Sequence, residues 1–230
     1  TVLSRGLGDV YKRQHLIDID KNEYIDLNMG IGPVSLGYAF EKVDNAIIEQ
    51  LKKGISFSLV HQLEYDLSKI INKIIPNADV VRFSKTGADV CSAAIRIARA
   101  YTKREKIICC GYHGWHDWYI STSSMNLGIP NSHNKEITTV TYNNIEALKG
   151  LLNSEVAALI IEPTIFEEPK EGYLQTLYDL CEENGTVLIF DEMWTGFRMC
   201  LGGAQSFFGV TPHLSVFSKA CANGMPLSII

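Results

Sequence analysis

From residue 76 onward the chain alternates short, nearly uninterrupted apolar runs with longer amphipathic segments, and no other feature restricts its fold as much. The runs are Val80–Phe83, Lys106–Cys110, Val156–Ile161, Val187–Phe190 and Leu214–Phe217. A strand with one wet face alternates apolar and polar residues, whereas a continuous apolar run suits a strand covered on both faces. Strands of this kind separated by helices predict an α/β fold with a mostly parallel sheet flanked by helices. Upstream, Glu23–Leu27 alternates like a half-buried strand. Val43, Ile47, Ile48 and Leu51 recur at helical spacing, and a second helix is expected over Leu63–Ile75, stopped by Pro76. Gly30-Ile31-Gly32-Pro33 reads as a turn, and Ser121–Thr138 is the one long polar stretch.

The 230 residues carry a net charge of -5 with basic residues scattered, so no polynucleotide partner is expected. No apolar run reaches the length of a membrane span and no export leader is recognisable, which predicts a cytoplasmic protein without a membrane partner. The six cysteines show no C-x-x-C spacing and fall mostly inside apolar segments, as buried thiols do. Thr1–Gln14 lacks periodicity and reads as a non-native leader, with the fold expected to begin at His15. Leu227–Ile230 reads as the start of a strand, so the chain is expected to be a fragment.

In an open parallel sheet, ligands bind beyond the carboxyl ends of the strands. Glu162 follows the run ending at Ile161, Asp191-Glu192 follows Phe190, and Ser218-Lys219 follows Phe217. Any one of these is explained by a strand reaching solvent; three in register place acids and a lysine on one sheet edge. Thr86 and Asp89 have the spacing of a capping box. The helix start they frame, with Gly87 and Ala88, offers free N–H groups to a phosphate or is simply a capped helix without a ligand, and Asp89 is expected to point away from an anion. Gly111–Trp118 is dense in rings, one of which would stack on a planar cofactor, with packing of Trp115 and Trp118 in the core as the other reading. A metal site from His113, His116 and Asp117 is the competing reading, but no further ligand follows at a suitable spacing, so no metal is expected.

Leu188–Arg198, Gly202–Gln205, Gly209–Pro212 and Lys219, in this order and spacing, make the segment from Ile17 to Ile230 resemble the class III aminotransferases. The resemblance is closest to the branch that includes glutamate-1-semialdehyde 2,1-aminomutase. It implies a fold-type-I architecture around a seven-stranded sheet, with residues 15–60 in an incomplete small domain and 61–230 in a large domain truncated at its C-terminus. It also implies pyridoxal 5'-phosphate as cofactor, a homodimer, and transfer of an amino group from a small-molecule donor to a carbonyl acceptor.

Residue by residue, the resemblance gives Lys219 a Schiff base with the cofactor and Asp191 the pyridine nitrogen. Tyr112 and Met193 would take the two ring faces, and Gly87 and Ala88 the phosphate. Glu162 would stand close to Asp191, and His113 would be among the cofactor contacts. Thr86–Asp89 departs from the family's Ser-Gly-Thr-Glu, and Ser218–Gly224 from a glycine-rich run, without changing the reacting groups. Ile31 and Ser56–His61 depart from the aminomutase on the substrate side. Exchange with an external acceptor is therefore expected, with the aminomutase reaction and an inactive relative as the alternatives.

Overall fold

The computed structural model describes residues 8–130, 132–133, 135–164 and 166–230. Its strands are β1 (Gly8–Lys12), β2 (His15–Asp18), β3 (Glu23–Ile25), β4 (Phe83–Ser84), β5 (Lys106–Cys110), β6 (Ile137–Thr139), β7 (Val156–Ile161), β8 (Val187–Asp191), β9 (Leu214–Val216) and β10 (Ser228–Ile229). Its helices are α1 (Glu41–Leu51), α2 (Gln62–Ile74), α3 (Gly87–Thr102), α4 (Asp117–Ile120), α5 (Ile145–Leu151), α6 (Tyr173–Asn184) and α7 (Gly203–Phe208).

Five strands form a parallel sheet in the order β6-β5-β7-β8-β9. Successive side chains on a strand point to opposite faces, which explains why these runs are apolar throughout. Ala158 and Ile160 of β7, with Ile189 of β8, pack under α3 against Val90, Ala94 and Ile95. Their neighbours Leu159, Ile161, Leu188 and Phe190 pack on the other face against Leu148 of α5 and Leu174 and Leu177 of α6. A polar residue on either face would lose its water without gaining a partner.

The sheet is mostly parallel and flanked by helices, as expected, and a two-stranded pair extends it. β10 pairs antiparallel with β4, and this pair joins the main sheet through the Phe217–Ile229 bridge, with two backbone bonds of 2.8 Å. Backbone bonds between Arg82 and Ile230 extend the β4 side. The apolar run Val80–Phe83 thus contributes little: Val80 is outside the strand and 81% exposed.

Two further expectations are corrected. Glu23–Ile25 is a strand but not a half-buried one, since Tyr24 and Ile25 are 50% and 66% exposed; it lies in an antiparallel β1-β2-β3 sheet with no buried face over it. In the segment read as a leader, β1 pairs with β2, and Arg13 exchanges backbone bonds with Tyr38. Residues 1–7 of the expected leader lie outside the described residues. Finally, the polar stretch ends in β6, whose one buried residue, Ile137, is too weak a signal to read as a strand. Among the described residues no helix is long and apolar enough to cross a membrane.

Candidate active site at the carboxyl edge of the sheet

Parallel pairing brings the ends of β5, β7, β8 and β9 side by side, so that the segments leaving these strands meet at one edge. There a cavity of about 120 Å³ is lined by Gly87, Ala88, Cys91, Tyr112, His113, Gly114, Glu162, Asp191, Met193, Trp194, Ser218 and Lys219. All eight residues that the resemblance assigns to the cofactor are among them. Cys91, Gly114, Trp194 and Ser218 were not so assigned. Cys91 could have been found, because it lies one helical turn beyond Ala88 on the same face of α3.

The acids after Phe190 part company because adjacent strand residues face opposite ways. Asp191 turns toward α3 and the cavity. Its Oδ2 meets His113 Nδ1 at 2.8 Å and accepts a longer bond from Cys91 Sγ, while its Oδ1 accepts the Met193 N–H at 3.0 Å. Glu192 turns away and caps α7, accepting the N–H groups of Ala204 (2.7 Å) and Gln205 (3.0 Å) and the Thr195 hydroxyl. It is fully buried, and burial raises its carboxyl pKa. The same packing that buries Cys91 between α3 and the sheet pushes its thiol well up, with the Asp191 charge adding to this.

Glu162 Oε2 accepts the Tyr112 N–H at 2.7 Å, so it anchors the loop after β5 as well as facing the cavity. Burial, reinforced by the charge of Asp191, raises its pKa to about 7. Burial likewise lowers Lys219 to about 8; Glu162 and Asp191 oppose the shift and Arg198 adds to it. A lysine that gives up its proton near neutral pH is a usable nucleophile. Lys219 also sits at φ +45, in the left-handed region that side chains seldom occupy, where the family-like glycines are missing around it.

At the start of α3 the capping box is complete, with Thr86 Oγ1 accepting the Asp89 N–H and Asp89 Oδ2 accepting the Thr86 N–H. Asp89 also accepts from Ser84, which turns its carboxylate away from the cavity as expected. The Gly87 and Ala88 N–H groups, the first of the helix, donate to no acceptor among the described residues. Met193 packs against Gly87, where an added Cβ would lie 2.7 Å from its Sδ, and Tyr112, half exposed, also lines the cavity. The histidines of the alternative metal reading diverge: His113 turns to Asp191, and His116 to Ser92 at 2.8 Å. Among the described residues no group of three or more His, Cys, Asp or Glu could hold a metal ion. The arrangement offers an anion seat at a helix start, a buried carboxylate, two flanking side chains and an amine poised near neutrality.

The aminotransferase class-III family model matches residues 11–230. Among curated relatives, a 3-aminobutyryl-CoA aminotransferase from Cloacimonas acidaminovorans is 40% identical over 95% of this chain and 55% of its own. A glutamate-1-semialdehyde 2,1-aminomutase from Lachnoclostridium phytofermentans is 38% identical over 93% of this chain and 54% of its own. The chain therefore spans about half the length of the curated relatives it matches. Among solved structures, an omega-transaminase from Sphaerobacter thermophilus superimposes with a TM-score of 0.90 at 27% identity, over 97% of this chain and 56% of that one. On the match of nearly its whole length, with the motifs around Asp191 and Lys219 inside it, this chain belongs to the class III aminotransferases.

Proposed function

We propose that the protein containing this chain is a pyridoxal-phosphate-dependent aminotransferase that moves an amino group from a small-molecule donor to a carbonyl acceptor. The observation that carries the proposal is the meeting of Lys219, Asp191 and the unpartnered N–H groups of α3 around one cavity. The residues fit the cofactor. Gly87 and Ala88 would bind its phosphate with backbone N–H groups, helped by the helix dipole. Asp191 would hold a proton on the ring nitrogen, its own orientation fixed by His113 and the Met193 N–H. Tyr112 and Met193 would confine the ring from its two sides, and Glu162 would set the charge beside Lys219. When bound, the cofactor supplies an electron sink for the carbanion formed at the substrate carbon.

Lys219 then has two tasks of its own. Its neutral amine would hold the cofactor through the aldehyde carbon, and the same amine would carry a proton to and from the substrate carbon. In this reading residues 15–60 belong to a small domain and 61–230 to the large one, the protein works as a homodimer, and it resides in the cytoplasm. Retention of the amine by the enzyme, as in the aminomutase relatives, is the second reading, favoured by their 38% identity. The substrate-side departures at Ile31 and Ser58–His61 favour exchange with an external acceptor.

Borohydride reduction of the full-length protein, followed by peptide mapping, tests the proposal. A pyridoxyl group on Lys219 is expected; a label on a different lysine, or none, would end it. Supplying glutamate 1-semialdehyde separately from a panel of keto acids and aldehydes decides between the two readings. Conversion of the semialdehyde to 5-aminolevulinate without exchange to external acceptors would select the mutase.

A further inference from the structure

Among the described residues, Trp194 lines both the inner cavity and a larger one of about 370 Å³, whose other walls are Thr164, Phe166, Thr195, Arg198 and Met199. Its indole is contacted by two segments, which a third side chain ties together. On one face lies the Lys219 ammonium nitrogen, 3.4 Å from the ring centroid. Against the ring also lies the backbone of Gly32, at φ +96, where an added Cβ would come under 3.0 Å from two indole carbons. Arg198 ties these segments together: its Nε donates to the Trp194 carbonyl at 2.9 Å, and its Nη2 donates to the Gly32 carbonyl. The indole is thus a fixed surface and the flexible lysine side chain is what rests on it.

We propose that Trp194 is a positioning residue for Lys219, its indole face docking the protonated amine beside the cavity and releasing it when the amine loses its proton. An aromatic face attracts a cation through its quadrupole and has little hold on a neutral amine. The contact therefore favours the charged form and opposes the burial that favours the neutral one. The other charged groups acting on Lys219 are Glu162 and Asp191, which also favour the ammonium, and Arg198, which disfavours it. All three remain when the indole is exchanged. Removing the aromatic face should thus lower the pH at which Lys219 becomes reactive, and a smaller aromatic ring should lower it less. A side chain that merely filled space would give no such order.

The inference rests on Lys219 being the reactive amine of the proposed function. Full-length protein freed of cofactor, with W194F and W194M, is labelled at trace level with acetic anhydride from pH 6 to 11 and the Lys219 peptide is quantified. In this reaction the neutral amine forms an amide bond, acetate leaves, and the amine proton passes to water. The expected midpoints fall in the order Trp, Phe, Met, with W194M lower than wild type by about half a pH unit, or about threefold faster labelling below the midpoint. Indole emission, taken as the difference between wild type and W194F, should titrate with the wild-type labelling midpoint. Equal midpoints in the three proteins, or a higher one in W194M, would overturn the positioning role while leaving the aminotransferase reading in place. No label on Lys219 at any pH would overturn both.

Discussion

Exchanging Glu162 for glutamine should change how stability depends on pH, in a direction and to an extent that the site itself dictates. Glu162 is buried at the end of β7 beside Asp191, and its pKa of about 7 lies above the 4.5 of an ordinary glutamate. The folded state therefore holds this proton more tightly than the unfolded state does. Between those two values the folded form binds more protons, so the contribution of Glu162 to stability is complete below about pH 4.5 and is lost as pH rises through 7. At about 1.4 kcal/mol per pH unit, the interval between 4.5 and about 7 limits the loss to about 3 kcal/mol. Glutamine has nearly the same shape and keeps an oxygen to accept the Tyr112 N–H, but it does not titrate.

Urea unfolding of the full-length, cofactor-free protein at pH 5 and pH 7.5 measures the effect. Wild type should lose about 2 kcal/mol relative to E162Q across that interval. Lys219, with its pKa lowered to about 8, makes stability rise with pH between there and 10.5, and losing the Glu162 charge extends that rise downward in E162Q, which adds to the difference in the same direction. If the two proteins lose stability in parallel, or wild type gains on the variant, Glu162 is not a buried carboxyl that retains its proton in the folded state.

Asp191→Asn should leave the fold and cofactor attachment intact while lowering turnover by a factor on the order of 100, because an amide cannot keep the ring nitrogen protonated. Wild-type turnover in D191N would show that Asp191 is not its partner. Glu192→Ala should cost about 3 kcal/mol or more in urea unfolding, since two N–H groups of α7 and the Thr195 hydroxyl lose a buried acceptor, whereas Glu192→Gln should cost less. Equal stabilities would mean that water reaches the cap. Gly32→Ala should unseat Trp194, shift its emission to the red and cost about 1–3 kcal/mol, from the positive φ and the clash with the indole; an unchanged emission spectrum would contradict the packing.

The sequence determined what depends on neighbours along the chain. Continuous apolar runs required a cover on both faces of the sheet, and the strands they specify are found at Lys106–Cys110 and Val156–Ile161 with the expected ends. The Thr86–Asp89 box was legible because its bonds close within one helical turn, and Lys219 and Asp191 were legible because each stands just past an apolar run, within a motif whose order and spacing repeat those of a family. Periodicity left open which of Asp191 and Glu192 faces the cavity; the resemblance named Asp191, and only the tertiary structure gave the physical reason. Alternation requires them to point apart, but the choice is made by α3 packing on one face of the sheet and α7 meeting the other side. The antiparallel insertion of β10 between Phe217 and β4, the exposure of Tyr24 and Ile25, and the seating of Trp194 between Gly32 and Lys219 were equally hidden. Each depends on which surfaces meet across long stretches of chain, and side-chain periodicity carries the face a residue takes but not the partner that covers it.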